Sequence, residues 1–508
     1  MRRMLLREDR TPILVGAGQL VQRDADPRQA LKPQEMLEAV ARSAADDAGA
    51  GDRLLRELDS IGLVTSFPNH AQNPVRLLAE RLGAQPGREY VSEVGGQIGV
   101  TLANFMAERI ARGETGTALI AGCNNLKTVA RARQAGIELD WAGGGEGEPE
   151  LVGELKMGNS ECEARYGLNA PPHIYPIFEN ALRARRGLDL ETHRKQLGEL
   201  FSPFSKVAAG NPYAWFPTYR SPEELTTVTP QNRMIAFPYP KYLNAILETD
   251  QAAALVMTSV AAARALGIPE ERWIYWWGGA EAVEQAWWPS ERPDFAACPA
   301  MLDSSAGALA NAGIGIDEIG HIDFYSCFPV AVEMACEMLG LDPNDPRGFT
   351  VTGGLPYAGG PASAYTLHSL AAMVERLRDD PGSKGLVTGN GWYLTKHAAS
   401  VWSSEPMPGD ALQAALPDPL PSAGMEKTPA PAVAEAAGRA VVETYTVLYD
   451  REGAPVRGIV LGRQADGQRF LANTPEDRSL LEAFVATEEI GREGTLFHRD
   501  GSNVFDPA

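Results

Sequence analysis

Apolar residues along this chain alternate between two periods. Ile13-Leu14-Val15 is a short continuous apolar run, which predicts a buried strand over 12–18 running into a glycine turn at Gly16-Ala17-Gly18. Residues 34–49 then place Met36, Leu37, Val40, Ala41 and Ala44 at helical spacing. The alternation continues with a strand at 60–65, helices at 75–82 and 99–112, and a strand at 117–122. A second series begins near Arg272 and ends near Ser404, with strands at 273–277, 322–325 and 385–388 and helices at 330–339 and 362–377. Two successive α/β halves imply duplication, although no internal repeat aligns. Residues 124–245 interrupt the first half with mixed, aromatic and proline-rich sequence too long for a plain loop, so an insertion subdomain is expected. Residues 405–436, rich in Pro and Ala, read as an extended linker. Short strands at 440–449, 457–463 and 469–472, parted by Gly and Asp turns, then predict a small β-barrel. The expected division is 1–265, 266–404, a linker at 405–436, and 437–508.

The chain has 508 residues and a net charge of -20. That balance argues against nucleic-acid binding, which needs clustered Lys and Arg. It also means that any polyanionic ligand needs a local basic pocket, for which the cluster Arg183, Arg185 and Arg186 is a candidate. The five cysteines include no CxxC pair, which points to a reduced, cytoplasmic setting. No apolar run approaches membrane-spanning length, and charged residues interrupt the basic start Met1-Arg2-Arg3 before a signal-peptide core develops.

Motifs narrow the chemistry. The third glycine of a dinucleotide fingerprint after Gly16 and Gly18 would fall at Val21, so no nicotinamide or other redox nucleotide is expected. The acidic run 143–147 reads as a turn rather than a phosphate cradle. Four segments stand out together: Asn232-Arg233-Met234-Ile235; Thr249-Asp250-Gln251-Ala252-Ala253-Ala254; Phe324-Tyr325-Ser326-Cys327-Phe328; and Gly359-Gly360-Pro361 at the end of the glycine-rich run 353–361. In order and spacing they resemble the thiolase superfamily, especially its sterol-carrier-protein-x-like branch, over roughly residues 10–404. The resemblance implies a duplicated thiolase fold of αβαβα layering with an insertion subdomain, and coenzyme A or acyl-CoA as ligand.

Carried over position by position, the resemblance puts the nucleophilic cysteine at Gly96 in Gly96-Gln97-Ile98-Gly99. It puts the Gly-His-Pro histidine at Gly360 and the second cysteine at Thr388. Conventional thiolysis needs all three side chains. The backbone amides of Gly96 and Asn390 would retain the oxyanion hole. Cys327 reads either as a core cysteine or as a proton-handling group. Tyr325 and Ser326 stand where relatives carry His and Asp. Lys396-His397 is a basic pair, and an imidazole there is either structural or a base. His173 falls in the insertion that covers the pocket mouth in relatives, Cys123 reads as core, and the Trp273, Trp276, Trp277, Trp287, Trp288 group reads as an aromatic strand packed between layers.

The tail around Val441 to Val447, Arg457 to Gly462 and Asp466 to Leu471 is similar to OB-fold acyl-CoA-associated proteins, which implies an OB-like barrel. No cysteine follows Cys336, so their zinc ribbon is absent and no metal is expected. Residues 439–508 hold eight Arg against twelve Asp plus Glu, which speaks against single-stranded nucleic acid on the barrel. The function implied is recognition of CoA thioesters in acyl or lipid metabolism by an acetyl-CoA acetyltransferase relative lacking the usual side chains. The alternative is an acyltransferase or C–C bond-forming enzyme using His397, Tyr325 or Cys327. Thiolases dimerise through their core, which implies a homodimer, whereas a fused tail covering that face would leave a monomer.

Overall fold

The computed structural model describes residues 8–66, 71–141, 143–408 and 432–507. The basic start and most of the Pro/Ala-rich linker lie outside the described residues. The first half contributes β1 (Pro12–Val21), β2 (Ser60–Leu63), β3 (Arg88–Ser92), β4 (Thr117–Asn125), β5 (Glu150–Val152), β6 (Met234–Ala236), β7 (Tyr239–Pro240) and β8 (Asp250–Ser259). The second contributes β9 (Ile274–Val283), β10 (His321–Asp323), β11 (Lys384–Gly391) and β12 (Lys396–Ser403). Ten of these form one mixed sheet in the order β10-β11-β12-β9-β1-β8-β4-β2-β3-β5.

The order carries the duplication that the sequence did not align. In each half the first strand runs antiparallel to the last (β1 with β8, β9 with β12). The last strand runs antiparallel to β4 or β11. Each of those lies parallel to β2 or β10. The halves meet where Ile13 and Leu14 pair with Tyr275 and Ile274. Helices Ile98–Arg112 and Tyr365–Asp379 form the middle layer, and one apolar cluster joins them to strands of both halves. Because that layer is enclosed, Ile98 to Ala103 is buried without a polar face. Helix Pro33–Asp47 covers the first half from outside and helix Pro299–Ala312 the second. This is the αβαβα layering of the thiolase fold.

The expected glycine turn at Gly16-Ala17-Gly18 is instead the middle of β1, paired with β8 as far as Val21. Its glycines serve packing. A Cβ on Gly16 would stand 2.0 Å from Ala44 O and one on Gly18 2.3 Å from Val40 O, so they let helix Pro33–Asp47 lie against the strand. Trp273, Trp276 and Trp277 are buried between layers, whereas Trp287 and Trp288 lie beyond β9 and are only half-buried.

The tail closes a five-stranded barrel from β13 (Gly438–Tyr449), β14 (Pro455–Gln464), β15 (Arg469–Asn473), β16 (Glu493–Arg499) and β17 (Ser502–Pro507), with β13 pairing both β14 and β16. Phe470, Phe484 and Phe505 fill it. The barrel is docked, not merely tethered. Strand β6 extends its sheet, Asn180 Nδ2 donates to Tyr445 O at 2.9 Å, and the buried Arg469 reaches Arg292 O. Among the described residues no helix is long and apolar enough to cross a membrane.

Candidate functional site

After β3 the chain turns through Gly95 and Gly96 into the N-terminus of helix Ile98–Arg112. A Cβ on Gly96 would lie 2.1 Å from the Tyr325 hydroxyl and 2.5 Å from Asn390 O. Tyr325 therefore occupies the space that a side chain at position 96 would need. Neighbouring glycines make the same close approach: a Cβ on Gly99 would meet Thr366 Oγ1 at 2.6 Å, and one on Gly389 would meet Gln97 Cα at 2.5 Å. Thr366 Oγ1 donates to Gly96 O at 3.1 Å, and the Tyr325 N–H donates to Thr388 Oγ1 at 3.1 Å. Gly96, Tyr325, Thr388 and Asn390, from three separate segments, thus converge on one point.

That point is nearly filled. A crevice lined by Tyr325, Thr388, Asn390, His397, Met301 and Ser304 has a free volume of about 10 Å³, about one water. Tyr325 packs edge-on to Tyr365, 5.4 Å between ring centres, and burial holds its hydroxyl pKa well above the ordinary range. Burial also pushes the Cys327 thiol up to about 12. Asn390 Nδ2 donates to the Tyr175 hydroxyl at 2.9 Å and lies 3.9 Å from Cys327 Sγ. Ser326 is buried, with its hydroxyl facing Gly354. Gly360 belongs to a different wall: its N–H donates to Ile246 O at 2.8 Å, and a Cβ there would meet Ile246 O and Leu355.

The Lys396-His397 pair is split by the strand that carries it, because neighbouring residues of a strand face opposite sides. Lys396 pairs with Glu93 at 2.8 Å and donates to Val94 O, bracing the turn before Gly96. His397 Nε2 lies 3.2 Å from Cys298 Sγ. Cys298 is the N-cap of helix Pro299–Ala312, and its sulfur stands 3.4 Å from Glu284. Burial pushes His397 down to about 3 and the Cys298 thiol far up, so both are neutral at pH 7. Sequence reasoning missed Cys298. Its one signal was a cysteine directly before a proline that opens a helical run. His173 Nδ1 meets Gly167 O and Asn169 Oδ1, each at 3.0 Å, within its own helix entry, and Cys123 is buried in the core.

The polyanion site expected at Arg183, Arg185 and Arg186 is not available. Arg183 is buried against Glu488, Arg185 pairs with Asp294 and Glu337, and Arg186 pairs with Glu333 and Glu337. Adjacency in sequence concentrated the charge, but the fold surrounds it with carboxylates. A different cavity, of about 350 Å³, is lined by Arg220, Arg233, Lys241, Tyr242, Ile246 and Tyr357. Arg220 lies over the Tyr242 ring at 3.9 Å, and Arg233 donates to Asp450 O. Among the described residues none of these three cations pairs with a carboxylate. Pro356 and Tyr357 of the glycine-rich segment form part of this cavity's wall, and Ile246 links it to Gly360. Nothing in the sequence joined these cations, which lie in two stretches of the insertion.

A family model described as the Thiolase-like protein type 1 additional C-terminal domain matches residues 419–502. Over 98% of its length the chain is similar, at 36% identity and a TM-score of 0.82, to a monomeric SCP2-thiolase-like protein type 1 (STLP1) from Mycobacterium smegmatis, covering 99% of that chain. More distant likeness, in fold alone, extends to the Ltp2-ChsH2(DUF35) aldolase (20% identity, TM-score 0.57, 78% of this chain and 98% of that one). It also extends to the dimeric peroxisomal thiolase of Saccharomyces cerevisiae (14% identity, TM-score 0.54, 79% of this chain and 99% of that one). No curated protein matches the chain.

Proposed function

The chain belongs to the SCP2-thiolase-like protein type 1 family, and from that premise we propose that it recognises CoA thioesters in acyl metabolism without conventional thiolase chemistry. The observation that carries this reading is the basic cavity. Among the described residues Arg220, Arg233 and Lys241 have no carboxylate partner, around about 350 Å³ in a chain whose net charge is -20. Three uncompensated cations raise the local potential where a polyphosphate needs it, against a repulsive overall field. Tyr242 and Phe216 add aromatic surface for a base to stack on.

The absence of conventional chemistry is argued from the crevice. Gly96 offers no sulfur, and its side-chain space holds the Tyr325 hydroxyl; Gly360 offers no imidazole and Thr388 no thiol. Loss of one such group costs orders of magnitude in rate, and three are replaced. The alternative enzyme, working through Tyr325, Cys327 or His397, is disfavoured by their protonation. Tyrosine and thiol keep their protons, the imidazole stays neutral and bound to Cys298, and the crevice admits about one water. Gly96 and Asn390 remain our candidates for amides that meet a thioester oxygen. The division at 265, 404 and 436, a monomeric state like that of the Mycobacterium smegmatis relative, and a reducing cytoplasmic setting suited to five free cysteines complete the proposal.

Calorimetry with acetoacetyl-CoA and free CoA tests it. Saturable heat for both ligands, weakened in an Arg220→Ala/Arg233→Ala/Lys241→Ala variant, is expected. Continuing heat after mixing would establish turnover and overturn the binder. No heat would remove short-chain CoA thioesters as its ligands.

A further inference from the structure

Beside the paired arginines lies a cluster that the CoA reading does not use. Glu179 on helix Pro171–Arg185, His193 on helix Leu190–Gly210 and Glu333 on helix Pro329–Leu339 each offer one donor atom, and the three atoms lie within 4.8 Å of one another. All three residues are buried. His193 Nε2 stands 2.7 Å from Glu179 Oε1. The far oxygens are held from behind: the Tyr239 hydroxyl donates to Glu179 Oε2 at 2.5 Å, and Arg186 Nη1 donates to Glu333 Oε1. Glu333 Oε2 is buried and has no hydrogen-bond partner.

Charge points the same way. Glu179 and Glu333 are the most deeply buried carboxylates around the three arginines. Burial raises the Glu179 pKa, and burial with the Glu179 charge pushes Glu333 up to about 8, so the empty pair keeps a proton. Buried charge is retained when it is paired or coordinates a metal. A divalent ion between the two carboxylates takes that proton's place.

We propose that Glu179, His193 and Glu333 bind one divalent transition-metal ion, zinc being the first candidate, as a structural clamp between the insertion and the second half. One imidazole nitrogen with two carboxylate oxygens is a donor set that zinc accepts. Tyr239 and Arg186 fix the two carboxylates as outer partners of a metal site do. Bonds of about 2.1 Å in tetrahedral array hold donors about 3.4 Å apart, so the His193–Glu179 contact opens by less than 1 Å when the ion enters. No short metal-binding spacing announces these ligands, because they come from three helices.

The test uses the full chain, stripped with a chelator and titrated with Co²⁺, then Zn²⁺. One equivalent of Co²⁺ per chain is expected, with visible absorption that Zn²⁺ displaces and a raised Tm. Zinc-edge anomalous diffraction from soaked wild-type crystals should place the ion between the three side chains. His193→Gln and Glu333→Gln, each checked for fold by circular dichroism, should each weaken binding at least about 100-fold. No bound equivalent in the wild type, an anomalous peak elsewhere, or undiminished binding by the His193→Gln/Glu333→Gln variant overturns the proposal. The proton that Glu333 keeps would then stand where the ion was expected.

Discussion

The glycine-rich segment 353–361 separates two regions that treat space in opposite ways. On one side Gly354 packs on Ser326, next to a crevice where Tyr325, Thr388, Asn390 and His397 leave about 10 Å³. On the other, Pro356 and Tyr357 border a cavity of about 350 Å³ with three unpaired cations. The first region gathers Gly96, Tyr325, Thr388 and Asn390, while Gly360 lies on the wall toward Ile246, and the first region is packed like a core. The second holds charge that the fold leaves uncompensated. Cations around open volume mark a ligand site, whereas a packed crevice leaves a ligand no room.

The comparison can be broken most sharply by removing the three cations together. Arg220→Ala/Arg233→Ala/Lys241→Ala should weaken CoA binding at least about 2,000-fold, about 4.5 kcal/mol with each of the three charged contacts at about 1.5 kcal/mol. Melting should barely change, and titration calorimetry with a parallel melt reads both. If affinity survives, the cavity is not the site.

Next in size is Gly96→Cys, which restores a thiol where Tyr325 stands. Overpacking of that kind should cost about 3 kcal/mol, seen in a denaturant midpoint. The same substitution in a Tyr325→Ala background should cost clearly less than it does in the wild type, a coupling that a double-mutant cycle measures. Additive losses would mean that Tyr325 does not fill that space.

A smaller effect follows from His397. Its folded pKa near 3 lies below the ordinary 6.5 because burial disfavours the cation. Above pH 6.5 both folded and unfolded chains carry it neutral. As pH falls from 6.5 towards 3 the unfolded chain takes up a proton that the folded one refuses, and stability drops. Denaturation at pH 7.5 and pH 5 should show the decline, and His397→Gln should flatten it. Smallest of all, Tyr325→Phe should change stability by less than about 1 kcal/mol, because the ring, more than the hydroxyl, fills the crevice.

Much of the architecture was legible. The β1 run Ile13-Leu14-Val15, the helical spacing of Met36 to Ala44 and the tail strands all lie where their periodicity put them. The misread glycines of β1 show the limit of local reasoning. Glycine marks a turn or a close approach, and only the helix lying on Gly16 and Gly18 decides which. Lys396 and His397 looked like a basic pair because they are adjacent in sequence, yet strand geometry aims them apart.

What the sequence by itself determined is the order and type of elements, the family motifs, and the identity of the residues at positions 96, 360 and 388. Those follow from periodicity and side-chain chemistry, which are local. What only the tertiary structure decided is which groups meet. Tyr325 lies in the space beside Gly96, Cys298 meets His397, and carboxylates pair with Arg183, Arg185 and Arg186, whereas among the described residues none pairs with Arg220, Arg233 or Lys241. Contacts between residues tens to hundreds of positions apart depend on how whole layers pack, and no spacing along the chain encodes that distance.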